Sequence, residues 1–321
     1  MAALTGLLVG CAEGAASAPP PVAPPPVVPP VVTGPVGPLV VGQMYTDASG
    51  FIEYVPGDAP LVIVAPHGGT LSPAGLPDRS CAGCTTVNDL NTQELARTLV
   101  EEFRQRTGAR PHLIVNRLHR RKFDGNRDLA EATGGTATLN ASWTWLHAAI
   151  DSAKAGVARR STRGLVIDLH GHAHPIARLE LGYLLGDAEL RATDATLAAG
   201  GAMSRSSVAR LAADTRTVDD RGVTLLRGPR SLGALLAAEG IRSVPSPTDP
   251  APLVGEEYFN GGYNTQRHGS LAGGSLDAIQ IECHLTGVRD SEGNRAQFAR
   301  ALTTALRTYF TVHYGWTGPS S

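Results

Sequence analysis

The sequence predicts an α/β fold, with a mostly parallel or mixed central sheet and helices on both faces. Three observations carry this. Continuous apolar runs of strand length recur in "APLVIVA", "HLIVN", "GLVIDL" and "LDAIQIE". Segments of helical periodicity stand between and after them, most plainly over 89–108, 141–157 and 295–310. No internal repeat breaks the alternation. Apolar runs without polar alternation belong to strands covered on both faces, and strands alternating with helices build parallel crossovers. The chain has 321 residues, 42% of them hydrophobic, which is enough for one substantial core.

The elements follow in order. Residues 1–17 hold a short apolar run ending in Leu8-Val9-Gly10-Cys11, which resembles a bacterial lipobox with Cys11 as the acylated residue, although no Lys or Arg precedes the run. Residues 18–38 are dominated by Pro, Val and Ala, a composition that favours an extended, semi-rigid spacer. Together they predict an exported protein, periplasmic or at the cell surface, attached to a membrane through an N-terminal lipid. A single folded domain is expected over 40–321. It opens with a hairpin over 44–56 that turns at Ser49-Gly50. The strand in 59–65 runs into Pro66-His67-Gly68-Gly69. A loop over 70–88 carries Cys81 and Cys84, expected to form a structural disulfide in an exported chain. The helix over 89–108 places Leu95, Leu99 and Phe103 on one face, has Asp89 in its first turn, and stops at Gly108. A strand over 110–118, a polar stretch over 119–129 and a helix over 141–157 come next. The strand in 164–175 ends in a His-rich loop. Beyond it the pattern gives a strand over 179–186, helices over 207–215 and 231–240, a last apolar strand over 276–285 and an amphipathic C-terminal helix.

The formal net charge of −1 offers no clustered positive surface for a nucleic-acid partner. Nucleophile-elbow, Walker A and His-Glu-x-x-His patterns are absent from the sequence. What remains is chemistry at strand ends, where open α/β sheets bind ligands. The first apolar strand ends at His67; the third gives Asp168, His170, His172 and His174; the last gives Glu282 and His284. Imidazole and carboxylate donors converging from separate strands suit zinc, whose catalytic sites keep three protein ligands and an open position.

Four segments resemble the N-formylglutamate amidohydrolase family: Pro66-His67-Gly68-Gly69, similar to its Pro-His-Ser-Gly; Asp89-Leu-Asn-Thr-Gln-Glu-Leu-Ala; Arg120-Arg-Lys-Phe-Asp124-Gly-Asn126-Arg127, similar to its Arg-x-x-x-Asp-x-Asn-Arg; and Asp168-Leu-His170-Gly-His172. The resemblance implies a zinc exopeptidase-like (phosphorylase/hydrolase-like) architecture and one catalytic zinc. It implies His67, Asp89 and His170 as ligands, with Glu94 the rival to Asp89 and His172 the rival to His170. Asp168 and His172 would support the ligands from behind, and Glu282 would act as general base and acid. Arg120, Asn126 and Arg127 would bind a substrate carboxylate, the rival role of the arginines being internal pairing with Asp124 and Asp128. The implied activity is cleavage of an amide bond in an N-acyl amino acid or small peptide that carries a carboxylate. The apparent export makes a cell-wall peptide hydrolase, of muramoyl-alanine amidase or carboxypeptidase type, the nearest alternative. A non-catalytic envelope binding protein is the alternative from another class, and a carbohydrate deacetylase a further one. The segment 256–270, with Tyr258, Asn260, Tyr263, Arg267 and His268, reads as an added substrate loop or an exposed turn. The oligomeric state is left open by the sequence.

Overall fold

Leu-Val-Ile-Val-Ala at 61–65 forms a fully buried strand, and its side chains alternate between two separate apolar clusters, Leu61, Ile63 and Ala65 on one face and Val62 and Val64 on the other. This strand sits inside the sheet because no residue in it needs water on either face. The computed structural model describes residues 34–319 except 82, 200, 215–221 and 272. Cys11, the lipobox-like segment and residues 18–33 of the Pro-rich spacer lie outside the described residues.

The described residues form an eight-stranded sheet in the order β1-β2-β4-β3-β5-β8-β6-β7. The strands are β1 (Tyr45–Thr46), β2 (Ile52–Val55), β3 (Leu61–Ala65), β4 (His112–Asn116), β5 (Leu165–His172), β6 (Leu179–Gly182), β7 (Ser243–Val244) and β8 (Asp277–His284). β4, β3, β5 and β8 run parallel; β2 is antiparallel to β4 and β6 is antiparallel to β8, so the sheet is mixed. The expected opening hairpin is β1 and β2, turning at Gly50 with φ 68°.

On one face, α1 (Thr92–Thr107) packs beside the C-terminal helix; on the other lies α3 (Ala137–Arg160), preceded by the short α2 (Leu129–Thr133). The helix expected over 141–157 is thus longer at both ends. Short helices α4 (Asp187–Leu190), α5 (Asp194–Ala199), α6 (Ala209–Asp214), α7 (Val223–Arg227) and α8 (Leu232–Ala238) lie between β6 and β7 in the chain, α6 against β8 and α8 against β7. The segment expected as a loop over 256–270 contains α9 (Tyr263–His268), and α10 (Glu292–Tyr309) closes the fold against α1 and α8. No helix among the described residues is long and apolar enough to cross a membrane.

One boundary matters for the site. The helix expected from residue 89 starts at Thr92, with Asn91 as its N-cap at φ 63°. Asn tolerates this left-handed conformation better than most residues. Asp89 therefore precedes the helix, and its carboxylate is available to other partners.

Candidate functional site

His67 lies in the turn after β3. Gly68 and Gly69 make that turn close-packed: a Cβ on Gly68 would stand 2.5 Å from Thr92 Oγ1, and one on Gly69 would stand 2.3 Å from the Arg117 and Leu118 backbone. Gly68 thus lets the strand end lie directly on the start of α1, and Gly69 lets it lie against the chain that follows β4. The Asp89 N–H donates to the His67 carbonyl at 3.2 Å, which fixes the two segments together. His170 reaches the same place from the end of β5.

Asp89 Oδ2 is the focus. It lies 3.3 Å from His67 Nδ1 and 3.2 Å from His170 Nδ1, and it accepts the Gly171 N–H at 3.1 Å. All three side chains are buried, and their ligand-type atoms lie within 4.8 Å of one another. Two atoms held at 2.0–2.1 Å by one tetrahedral zinc ion stand about 3.3 Å apart, so the two nitrogen–oxygen separations match a shared ion. Glu94, the rival carboxylate, is exposed on α1 and outside this group.

Each imidazole is backed by a carboxylate on its far nitrogen. His67 Nε2 lies 2.5 Å from Asp124 Oδ1, and His170 Nε2 lies 2.9 Å from Asp168 Oδ2. For His67, a proton held on Nε2 by Asp124 leaves Nδ1 with its lone pair, which is how ligand imidazoles are commonly oriented. Asp168 is held in turn by Asn264 Nδ2 at 3.0 Å, and the Asn126 amide lies 3.2 Å from His170 Nε2. Burial disfavours the charged carboxylate of Asp89, but the imidazoles of His67 and His170 outweigh it and hold its pKa well below the usual range. Burial likewise opposes charge on His170, yet Asp168, Asp89 and Glu282 push its pKa well above the usual value. Asp89, Asp124, Asp168, Glu180 and Glu282 are all buried here. Arg79 and Arg120 pair with Asp124 and Asp89, and a bound cation would add to that compensation.

Glu282, on β8, lies directly opposite His170 in the sheet register. Its Oε1 accepts from Gln280 Nε2 at 2.9 Å and lies 4.0 Å from His170 Nδ1, while its buried Oε2 has no hydrogen-bond partner. Burial first, then the neighbouring carboxylates against the pull of His170, leave its pKa pushed up to about 8. These groups line a cleft of about 380 Å³ that also includes Arg127 and Phe259.

The structure separates the three residues expected at a substrate carboxylate. Arg120 is nearly buried and paired inward, Nε to Asp124 Oδ2 at 3.0 Å and Nη1 to Asp89 Oδ1 at 3.3 Å. Asn126 faces His170 and Asn264. Arg127 remains part-exposed on the cleft wall, tethered to Glu131 at 2.9 Å. His172, two residues beyond His170, stands outside the Asp89 cluster and donates from Nε2 to the Arg178 carbonyl at 2.8 Å. Cys81 and Cys84 form a disulfide in the 70–88 loop. Within 256–270, Phe259, Gly261 and Gly262 line the cleft; Tyr258 bonds the Leu181 carbonyl, and Tyr263 and His268 pack on His147 of α3.

Sequence reasoning anticipated Asp124 as a partner of the arginines but passed over its place behind His67, and it passed over Asn264 and Gln280. Asp124 was visible inside the Arg-x-x-x-Asp-x-Asn-Arg segment, and Gln280 as the residue two before Glu282 on the same strand face. Asn264 carried no signal, because it reaches Asp168 only through the tertiary fold.

No family model and no curated protein matches this chain. Among solved structures, it is similar to N-formylglutamate amidohydrolase from Ralstonia eutropha, with 17% identity, 83% of this chain and 99% of that chain covered, and a TM-score of 0.50. A gene product from Agrobacterium tumefaciens aligns at 15% identity over 84% and 99% of the two chains, with a TM-score of 0.46. The N-acetylmuramyl-L-alanine amidase of Mycobacterium abscessus, in its apo form, aligns at 12% identity over 78% and 98%, with a TM-score of 0.34. The first likeness establishes a shared α/β fold, as the sequence resemblance implied.

Proposed function

We propose that the protein is a zinc-dependent amidohydrolase that cleaves an amide bond in an N-acyl amino acid or small peptide carrying a carboxylate. One observation carries the reading: His67, Asp89 and His170 converge in a cleft that also holds the buried carboxyl of Glu282. His67 and His170 through Nδ1, and Asp89 through Oδ2, are the atoms that would hold the ion. Zinc bound by such a set acts as a Lewis acid and lowers the pKa of water from 15.7 toward about 7.

The remaining work belongs to the chain. Asp124 keeps the proton of His67 on Nε2 and fixes that ring, and Asp168 and Asn126 stand beside Nε2 of His170. Glu282 Oε2 has no hydrogen-bond partner among the described residues, and a carboxylate placed beside the first group can take a proton and give it back. Glu282 therefore takes the proton of the attacking water and delivers it to the leaving amine. Arg127 is the guanidinium best placed to meet a substrate carboxylate, since Arg120 is held by Asp89 and Asp124. The fold shared with an N-formylglutamate amidohydrolase supports the amide class.

The location outside the cytoplasm belongs to the same proposal. The lipobox-like Cys11, the Pro-rich spacer and the Cys81–Cys84 disulfide support it, because disulfides persist in oxidising compartments. A spacer that holds the domain off a membrane favours cell-wall peptides as the second substrate reading.

The test is Glu282→Gln. It should retain the metal content of the wild type while kcat on the best of a panel of N-formyl, N-acetyl and muramoyl-peptide amides falls about 10²–10⁴-fold. Unchanged turnover in the variant, or purified wild type without stoichiometric metal, would reject the reading.

A further inference from the structure

β5, β8 and β6 are neighbours, and His170, Glu282 and Glu180 lie opposite one another across them. Directly opposed residues share one face of a sheet. Glu282 is thus flanked on one side by the His67–Asp89–His170 cluster and on the other by Glu180, around which a second group gathers: His172, His174 and Glu180, their ligand-type atoms within 4.8 Å of one another. The proposed hydrolysis uses none of these three.

We propose that His172, His174 and Glu180 form a second divalent transition-metal site in the same cleft, across Glu282 from the first. The donors are oriented for it. His172 Nε2 donates to the Arg178 carbonyl at 2.8 Å, which leaves Nδ1 as the lone-pair nitrogen. Nδ1 lies 4.0 Å from Glu180 Oε1. Glu180 is buried, and its Oε2 accepts the Phe259 N–H at 2.7 Å, so Oε1 is the oxygen that faces the imidazoles. His174 Nδ1 lies 2.8 Å from that Oε1.

The separations of 2.8 and 4.0 Å bracket the roughly 3.3 Å expected for two donors on one tetrahedral ion. His174 is the adjustable member: its side chain is 14% exposed, whereas those of His172 and Glu180 are at 0% and 1%. Binding gives up two hydrogen bonds, from the His174 N–H to His172 Nδ1 at 3.1 Å and from His174 Nδ1–H to Glu180 Oε1 at 2.8 Å, the second with loss of its proton. His284 lies opposite His172 in register, with ring centroids 5.5 Å apart, and adds an imidazole beside the group. Two imidazoles and one carboxylate select zinc, nickel or copper over magnesium and calcium. The cluster opens to solvent through the cleft, which His172 and His174 both line. The inference stands on this cluster and does not depend on the hydrolase reading.

The experiment uses the full chain stripped with chelator, titrated with zinc by calorimetry, with bound metal counted after desalting. His174→Ala and Glu180→Gln are measured alongside, each checked for native circular dichroism. The expected result is a second zinc equivalent in the wild type that both folded variants lose while keeping the first. Asp89→Asn should do the reverse, losing the first and keeping the second. A wild type whose only equivalent is lost in Asp89→Asn and kept in His174→Ala and Glu180→Gln, a second equivalent that survives in both His174→Ala and Glu180→Gln, or loss of both ions from a folded variant would overturn the proposal. Failure of the catalytic reading alone would appear instead as a Glu282→Gln variant of undiminished turnover.

Discussion

The two histidine–carboxylate groups at the end of β5 use similar side chains but are assembled differently. The His67–Asp89–His170 group draws on three parts of the chain: the turn after β3, the residue two before the Asn91 cap of α1, and β5 itself. Each of its imidazoles has a carboxylate behind it, Asp124 or Asp168. The His172–His174–Glu180 group comes from nine consecutive residues joining β5 to β6, and its buried imidazole is backed by a peptide carbonyl. A carboxylate raises the basicity of an imidazole more than a neutral carbonyl does. The first group is therefore the tighter and more preorganised, and the second the more adaptable.

The largest expected effect tests whether the groups are separable. Asp89→Asn removes the oxygen shared by His67 and His170, and it should abolish metal binding at the first group and with it amide hydrolysis. Metal analysis and a single-turnover assay check both; retained activity would show that the chemistry lies elsewhere. Asp124→Asn probes the backing carboxylate. It should weaken zinc at the first group about 10–100-fold and leave the second unchanged, read by competition with a chelating dye. Equal weakening at both would remove the proposed distinction between them.

Arg127→Ala addresses the cleft wall rather than either group. Loss of a charge-assisted hydrogen bond, about 1.5–3 kcal/mol, should lower kcat/KM roughly 10–100-fold on a carboxylate-bearing substrate and have little effect on its methyl ester. An equal loss on both would favour a substrate without a carboxylate, as a carbohydrate deacetylase would use.

The last effect is on stability rather than activity and lies outside both groups. Burial, then Arg160 and Arg159, lower the His112 pKa to about 3; burial, then His268 and Arg267, lower that of His147 to about 2. Both imidazoles are neutral when folded and titrate near 6.5 when unfolded, so the unfolded chain binds more protons between these values. Stability is full above about pH 6.5 and falls as the pH drops toward 3, with a slope of up to about 1.4 kcal/mol per pH unit for each group. His112→Gln should flatten the fall of Tm with acid in metal-free protein. An unchanged slope would place the acid sensitivity in the histidine–carboxylate groups instead.

Much of the fold was legible in the sequence for a local reason. Leu61–Ala65, Leu165–Ile167 and Ala278–Ile279 are apolar on both faces, and only interior strands tolerate that. Gly108 marked the end of α1, where it takes φ 78°. The start of α1 was misplaced by three residues because an Asp before an apolar periodicity reads as part of the helix, while a left-handed Asn91 leaves no such pattern. In the site, strand-end histidines were legible because chain direction alone puts them at one edge of the sheet. The partners of Arg120 were not: its inward pairing depends on how the loop carrying Asp89 packs against the 119–127 segment.

By itself the sequence determined the α/β class, the buried strands and which strand ends carry imidazole and carboxylate. It did so because burial and side-chain alternation are properties of neighbouring residues. The tertiary structure decided the strand order, and with it that β8 lies between β5 and β6 and puts Glu282 beside His170. It also decided that His170 joins Asp89 while His172, two residues on, turns to Arg178 and Glu180. Those outcomes depend on contacts between segments far apart in the chain, whose energies no local pattern records.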